Sequence, residues 1–458
     1  MSTFDGCLQE FPNLAIDYFR PRSKSAPPVL AYLLSHVHSD HLQGLENKDF
    51  SGALIYCSQA TKNLLLRIQE RNVRVKYARS EVDRKVLKYA HLVQRRGKQR
   101  DILRTIPLHR PTKLTVGRDQ LTVTLFDANH CPGATMFLIE SSTSRVLYTG
   151  DIRAEPTFLA TFLSNPLMIP YTSGQYMLDC IYLDTSARVG GQEYPPKFEG
   201  CRQLVRAIAQ YPASTNFYFN AWCMGYEDIW MTISRAFRTK IHVDQYRKTL
   251  FESIANESYE YGQLLAQEPD CILTTDSSTT RFYSCESIDP CAHRPPEREE
   301  VYIKTVNAIT LCDPAGGDSM SRIAEGDFGE ELSLKTFSIG EDESLLGQES
   351  QTGSHESMVV DGKELPMVLV IPFARHSSWP ELVRFVTSLR PRRVHSCTGD
   401  VGGQFSEFCH VNHKRTGQEE GEGDSTRQIQ QYEALTKAGL WHESPRSKRQ
   451  RLMNDVHI

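Results

Sequence analysis

Long apolar runs are missing from this chain of 458 residues. No stretch approaches the roughly 18 consecutive apolar residues of a membrane-spanning helix. The opening Met1-Ser2-Thr3-Phe4-Asp5-Gly6 lacks the basic start and long apolar core of an export signal. The expectation is a soluble, intracellular protein with no membrane partner. Regular cysteine spacing is missing as well. The 12 cysteines are scattered, which in a reducing compartment predicts thiols or metal ligands rather than a disulfide framework. No internal repeat is visible. At this length, a prior of roughly 150 residues per domain predicts two or three domains.

Net charge is also low, at −4, but it hides a segregation. From Arg67 to Lys113 there are 15 Lys and Arg against four Asp and Glu, a net +11 that leaves −15 for the rest. A basic segment on an otherwise acidic chain predicts a polyanionic partner. Near the other end, Arg446-Ser447-Lys448-Arg449-Gln450-Arg451 has the composition of a nuclear localisation signal or a nucleic-acid contact.

Periodicity and turn residues organise the chain as α/β. Short strands and turns fill residues 1 to about 60. The basic stretch from about 66 to 105 reads as helix, with Val86, Leu87, Ala90, Leu92 and Val93 at partial helical spacing, closed by Pro107 and Pro111. Leu121, Val123 and Leu125 alternate as in a half-buried strand. Further strands are expected at 136–139, 146–148 and 180–183. Beyond residue 200, helix and strand alternate through 204–209, 216–219, 225–236 and 241–243, as in a parallel α/β unit. Residues 313–364 are rich in Gly, Ser, Asp and Glu and read as a surface insertion or disordered linker. A strand returns at 367–372 and a helix at about 382–389. The polar tail after about 412 has too little apolar content to fold alone.

What stands out against this background is His36-Val37-His38-Ser39-Asp40-His41. Four metal-capable side chains fall within six residues, directly after the apolar run Val29–Leu34. Zn²⁺ favours imidazole and carboxylate ligands, and paired ions can clamp both oxygens of a phosphoryl displacement. His130, Asp151, Asp184 and His376 likewise follow expected strands. Several metal-capable residues at strand ends predict one sheet edge converging on a site.

These residues carry a resemblance. His36-x-His38-x-Asp40-His41, then His130, then Asp151, resembles the metallo-β-lactamase hydrolase signature. Asn129-His130-Cys131-Pro132-Gly133-Ala134, Tyr148-Thr149-Gly150-Asp151-Ile152-Arg153 and Leu183-Asp184-Thr185 narrow it to the β-CASP nucleases acting on DNA, which include the interstrand-crosslink-repair enzymes. Met1–Gly6, Ile16-Asp17-Tyr18-Phe19 and Gly225-Tyr226-Glu227 belong to the same likeness. It covers roughly 1–190, returns at 214–245 and 367–390, and fades in 250–365 and the tail.

The resemblance implies an αββα metallo-β-lactamase sandwich with an inserted α/β β-CASP domain. The sandwich would occupy 1–195, with the basic helical insertion at about 66–113, and resume at 366–412. The inserted domain would span 196–365, and 413–458 would be a disordered tail. His36, His38, His130 and Asp151 would hold a first metal. Asp40, His41, a shared Asp151 and His376 would surround a second position. Asp40, Asp151 and His376 would be the catalytic residues, Asp184 would orient a ligand histidine, and Ser377 and Ser378 would donate to a phosphate. Zn²⁺, one ion or two, is the implied cofactor, with Mg²⁺ a candidate activator. Relatives also carry a structural zinc on two His and two Cys. His242 and Cys285 fit it, but Tyr283 stands where a histidine is expected. Cys291 and His293 would complete the set with shifted spacing.

The implied function is metal-dependent hydrolysis of DNA phosphodiesters in repair. The substrates would be 5′-phosphorylated ends, overhangs, hairpins or crosslinks. The setting would be the nucleus, with a repair-complex or kinase partner. The alternatives are a β-CASP RNA-processing nuclease, a small-molecule hydrolase of the metallo-β-lactamase type, and an inert DNA-binding scaffold.

Overall fold

A computed structural model describes residues 4–50, 52–78, 81–95, 97–100, 102–187, 189, 191–219, 224–254, 272–285, 300–306, 357–399 and 401–410. Short strands with both faces apolar build three sheets. In the first, Leu14–Ile16, Ala31–Leu33, Leu54–Cys57 and Leu103–Thr105 run parallel in that order. The second has six strands in the order Val394–Ser396, Cys180–Leu183, Arg145–Tyr148, Thr135–Glu140, Asp119–Asp127 and Thr112–Val116. Its first three strands are parallel and the rest form an antiparallel meander.

Side chains alternate across a strand, and that alternation makes the layers. Leu14, Ile16, Ala31 and Leu33 share one core with Leu121, Val123, Leu125, Phe137 and Ile139. Met136, Leu138, Leu147 and Ile181 point the other way, against Leu159, Phe162, Leu382 and Phe385 of two helices. These helices are Pro156–Leu163 and Trp379–Leu389. Helix Gln59–Leu65 lies on the far side of the first sheet, where Leu64 and Leu65 join Ile55 and Cys57. Two sheets thus share a core with helices outside.

The third sheet is entirely parallel. Its order is Leu273–Thr274, Ile241–His242, Phe282–Tyr283, Asn216–Phe219, Glu300–Val306 and Val368–Pro372. Helices Lys197–Ile208, Glu227–Phe237 and Gln245–Glu252 accompany it. Parallel pairs need crossover connections, and the helical spacing of Leu204, Ala207 and Ile208 supplies one buried face. Among the described residues, no helix is long and apolar enough to cross a membrane.

Three expectations change. The basic stretch is not one helix: among its described residues the α-helix is Arg71–Ala78, followed by a 3₁₀ turn at Ala90–Leu92 and a two-stranded ribbon of Gln94–Arg95 and Lys98–Gln99. Gly97, at φ +75, makes the turn, and Leu103–Thr105 is drawn into the first sheet by Leu54–Cys57. Second, Ser357–Val360 and Lys363–Pro366 pair as a hairpin inside the expected linker. Asp361 and Gly362 both take positive φ, the geometry of a two-residue hairpin turn, and Met358 and Leu365 anchor it in the core. Third, Val368–Pro372 pairs with Glu300–Val306, so the chain leaves the third sheet near 373 rather than 366. The remainder of the expected linker, the tail from 413 with its basic cluster, Cys291 and His293 lie outside the described residues.

Candidate metal centre

Each candidate ligand sits in a loop that leaves a strand. His36 and His38 follow Ala31–Leu33, and Asp40 and His41 lie in a 3₁₀ turn, Ser39–His41. His130 follows Asp119–Asp127, where Asn129 takes φ +52. Asp151 follows Arg145–Tyr148, Asp184 follows Cys180–Leu183, and His376 follows Val368–Pro372.

Four imidazoles converge on Asp151, and a fifth, His38, faces two of them. Its Oδ2 lies 3.5 Å from His36 Nε2, 3.3 Å from His130 Nε2 and 3.9 Å from His376 Nε2. Its Oδ1 lies 3.1 Å from His41 Nε2. His38 Nδ1 is 3.0 Å from both His36 Nε2 and His130 Nε2. Asp40 stands at the rim, its Oδ2 3.9 Å from His41 Nε2.

The outward nitrogens fix the tautomers, since a neutral imidazole that donates on one nitrogen presents a lone pair on the other. His38 Nε2 faces the Met224 carbonyl at 3.1 Å and His130 Nδ1 the Arg375 carbonyl at 3.0 Å. His36 Nδ1 faces Ser35 Oγ at 2.9 Å, and that hydroxyl already donates to Asp17. His41 Nδ1 faces Asp17 Oδ2, and His376 Nδ1 faces Asp184 Oδ2, each at 2.8 Å. With those protons outward, five inner ring nitrogens and a carboxylate face one another. His41 Nε2 is buried, with Asp151 Oδ1 at 3.1 Å but poorly aligned as a hydrogen bond. Such a donor set repels itself unless cations lie within it, and imidazole with carboxylate suits Zn²⁺. The residues present therefore fit a metal centre.

Charge agrees with this at three of the five rings, while at His41 and His376 burial opposes the charged form and the neighbouring carboxylates still favour it. Burial pushes His36, His38 and His130 below the ordinary histidine value, keeping them neutral as ligands must be. Burial also opposes the charge on Asp151, yet His41, His376 and His130 hold its carboxyl well below the usual range. Burial disfavours a charged His41 too, but Asp151 and Asp17 raise it well above the usual value. Cys131 also lies near His36, His38 and His130. Burial raises its thiol well above the ordinary value, which disfavours the thiolate that a metal would need.

Ser377 and Ser378 are both buried. Ser377 Oγ donates to the Ile152 carbonyl at 2.8 Å and accepts from Ala154 N at 2.9 Å. Ser378 is fully buried at the N-cap of helix Trp379–Leu389. His242 and Cys285 do meet, with Nδ1 3.1 Å from Sγ. Cys285 is disulfide-bonded, so it would have to be reduced before it could hold zinc. The other described cysteines are free.

Asp17, quoted in the resemblance but not singled out as a site residue, stands beside His36 and His41 in the candidate centre. Its buried carboxylate accepts from Ser35 N, Ser35 Oγ and Tyr148 OH as well as His41. The available signal was its place directly after strand Leu14–Ile16, the same strand-end position as the ligands.

Glu227 lies a short way out. Its Oε2 accepts from Gly225 N at 2.8 Å. A Cβ at Gly225 would stand 2.9 Å from the His130 carbonyl oxygen. Burial pushes the Glu227 carboxyl up to about 7, from an ordinary 4.5. Folding therefore takes up a proton between those values, and stability falls as pH rises through that window. The shift corresponds to roughly 3 kcal/mol. Glu227→Gln should lose less stability than wild type between about pH 5 and pH 8, read from urea midpoints. Equal pH slopes would count against this carboxyl.

Fold and site together define a mixed α/β protein with a metallo-β-lactamase-like arrangement and His/Asp clusters that could bind metal. No family model matches the sequence. Among curated proteins, the chain is similar to Protein artemis of Gallus gallus, with 30% identity covering 90% of this chain and 50% of that protein. Protein artemis of Mus musculus shows 26% identity, covering 88% and 49% respectively. The 5′ exonuclease Apollo of Danio rerio shows 28%, covering 83% and 50%. The chain is homologous to Artemis and Apollo, β-CASP metallo-β-lactamase DNA-repair nucleases. It spans about half the length of these relatives.

Proposed function

We propose that this chain is a metal-dependent deoxyribonuclease acting in the nucleus on DNA ends, hairpins or crosslinks during repair. The observation that carries the reading is the cluster of five imidazoles and Asp151 with their ring nitrogens facing inward, a donor set that suits a cation. Zn²⁺ there, one ion or two, would supply Lewis-acid activation of water and stabilisation of phosphoryl charge. His36, His38 and His130 with Asp151 would hold one ion. His41, Asp151 and His376 would face a second, with Asp40 at its rim, and Asp184 would keep the His376 ring turned inward. Homology to Artemis and Apollo supports DNA as the polymer, and the net +11 from Arg67 to Lys113 supports a phosphate backbone as the partner.

The test is one panel of purified protein with 5′-phosphorylated single strands, blunt duplexes, hairpins and RNA, each with Zn²⁺, Mg²⁺ or chelator. Ladders from the 5′ end indicate an exonuclease. A nick near a hairpin tip indicates an endonuclease. Cleavage of RNA alone, or no chelator-sensitive cleavage, overturns the proposal. DNA affinity should also fall steeply with salt, by about 10³-fold or more between 50 and 200 mM if six or more phosphates are neutralised. Reversing several basic residues between Arg67 and Lys113 should flatten that slope.

A further inference from the structure

Lys197 is a buried lysine far from the ligands in sequence but joined to them in space. It opens helix Lys197–Ile208 beside the third sheet and is 4% exposed. Its Nζ donates to the Asn129 carbonyl at 2.6 Å and to Asn129 Oδ1 at 2.9 Å. Asn129 immediately precedes His130 and holds the left-handed φ of +52. A non-glycine residue reaches that region at a cost and stays only where its surroundings hold it.

The surroundings do hold it. Asn129 Nδ2 donates to the Arg153 carbonyl at 2.9 Å and to Glu155 Oε1 at 3.1 Å. Asn129 N donates to Asp127 Oδ1 at 2.6 Å. Glu155 in turn accepts from Lys197 N at 3.2 Å. The ammonium is thus the charged end of a closed ring of contacts around the residue that aims His130. A neighbouring segment acts alike on the other crowded histidine. The Met224 carbonyl, just ahead of helix Glu227–Phe237, accepts from His38 Nε2 at 3.1 Å and from Arg375 Nη1 at 2.8 Å.

We propose that Lys197 is a positioning residue of the metal centre, through which the helical layer of the third sheet fixes His130 by way of Asn129. This rests on the metal-centre reading above. The third sheet's unit is then part of the metal site's outer support, not only a surface beside it. Groups in that outer position typically change metal affinity by about 10–100-fold when removed.

The experiment measures Zn²⁺ affinity of the full chain by chelator competition, with the Co²⁺ absorption spectrum as a second readout. Lys197→Met keeps the aliphatic stem and removes the donor. It should weaken Zn²⁺ by about 10–100-fold and alter the Co²⁺ bands, with apo-protein secondary structure retained. Asn129→Gly accepts the same φ without strain and removes the Oδ1 that Lys197 grips, leaving the carbonyl of residue 129 as the ammonium's remaining acceptor. It should weaken Zn²⁺ by less than Lys197→Met, and the double variant should lose less than the sum of the two. Additive losses in the double variant overturn the route through Asn129. If Lys197→Met does not fold, Lys197→Gln, which shortens the donor, takes its place, and wild-type affinity and Co²⁺ spectrum there overturn the proposal. Wild-type protein that takes up no Zn²⁺ overturns the metal centre itself. Uptake by wild type with an unchanged Lys197→Met affinity overturns this inference alone.

Discussion

Asp151→Asn should abolish chelator-sensitive DNA cleavage and lower the zinc content while leaving the chain folded. Its two oxygens face opposite halves of the centre, Oδ2 toward His36, His130 and His376 and Oδ1 toward His41. Asparagine keeps the shape but replaces one oxygen with an NH₂ and removes the charge. No other described acidic group lies as close to four of the imidazoles. Outer-shell changes cost about 10–100-fold in metal affinity or activity, and loss of a shared ligand should exceed that range. Metal analysis per chain, circular dichroism and hairpin or 5′-end cleavage check it together. A folded variant with full zinc content and undiminished cleavage would remove Asp151 from the centre.

Arg153→Met should be among the most destabilising single changes. Arg153 is the largest fully buried side chain among the described residues, and its Nη2 lies 3.1 Å from Glu381 Oε1, both at 0% exposure. The same guanidinium donates to the carbonyls of Ala374 at 3.1 Å and Pro195 at 3.2 Å. Removing one partner of a buried pair strands the other charge and costs about 3–5 kcal/mol. Burial already raises the Glu381 carboxyl while Arg153 opposes that rise, so the variant should leave Glu381 protonated over a wider pH range. Arg153→Met/Glu381→Leu should lose less than the single change, because no charge is stranded. Urea unfolding at about pH 7 measures both. A single variant within about 0.5 kcal/mol of wild type, as for an ordinary surface change, would remove the pair from any structural role.

Most of the strands and the positions of the candidate ligands at their ends are legible in the sequence because both are local. Leu121, Val123 and Leu125 alternate within one strand, and His130 lies just past its end. The same relation places Asp151, Asp184 and His376 after their own strands. The supports were not legible, because they join residues far apart in sequence. The Arg375 carbonyl meets His130 across 245 positions and the Met224 carbonyl meets His38 across 186. No period or spacing reports a backbone carbonyl. The long helix expected over 66–105 failed for a related reason. Charged residues at partial helical spacing allow helix locally, but pairing with Leu54–Cys57 claims Leu103–Thr105 for the first sheet. The hairpin at 357–366 was hidden by polar composition around it, although Asp361-Gly362 is a strong turn pair.

The centre draws on segments from Asp17 to His376, so its parts do not emerge together during synthesis. His36, His38 and His41 leave the ribosome long before His376. At about 5–20 residues per second the interval from His41 to His376 is roughly 20–70 s. Over that time the early histidines lack both Asp184's partner ring and the Arg375 carbonyl that orients His130. Any tight metal loading would therefore await synthesis past His376, and a chain truncated before Arg375 would carry His36, His38, His41, His130 and Asp151 without the last ring or the carbonyl that orients His130.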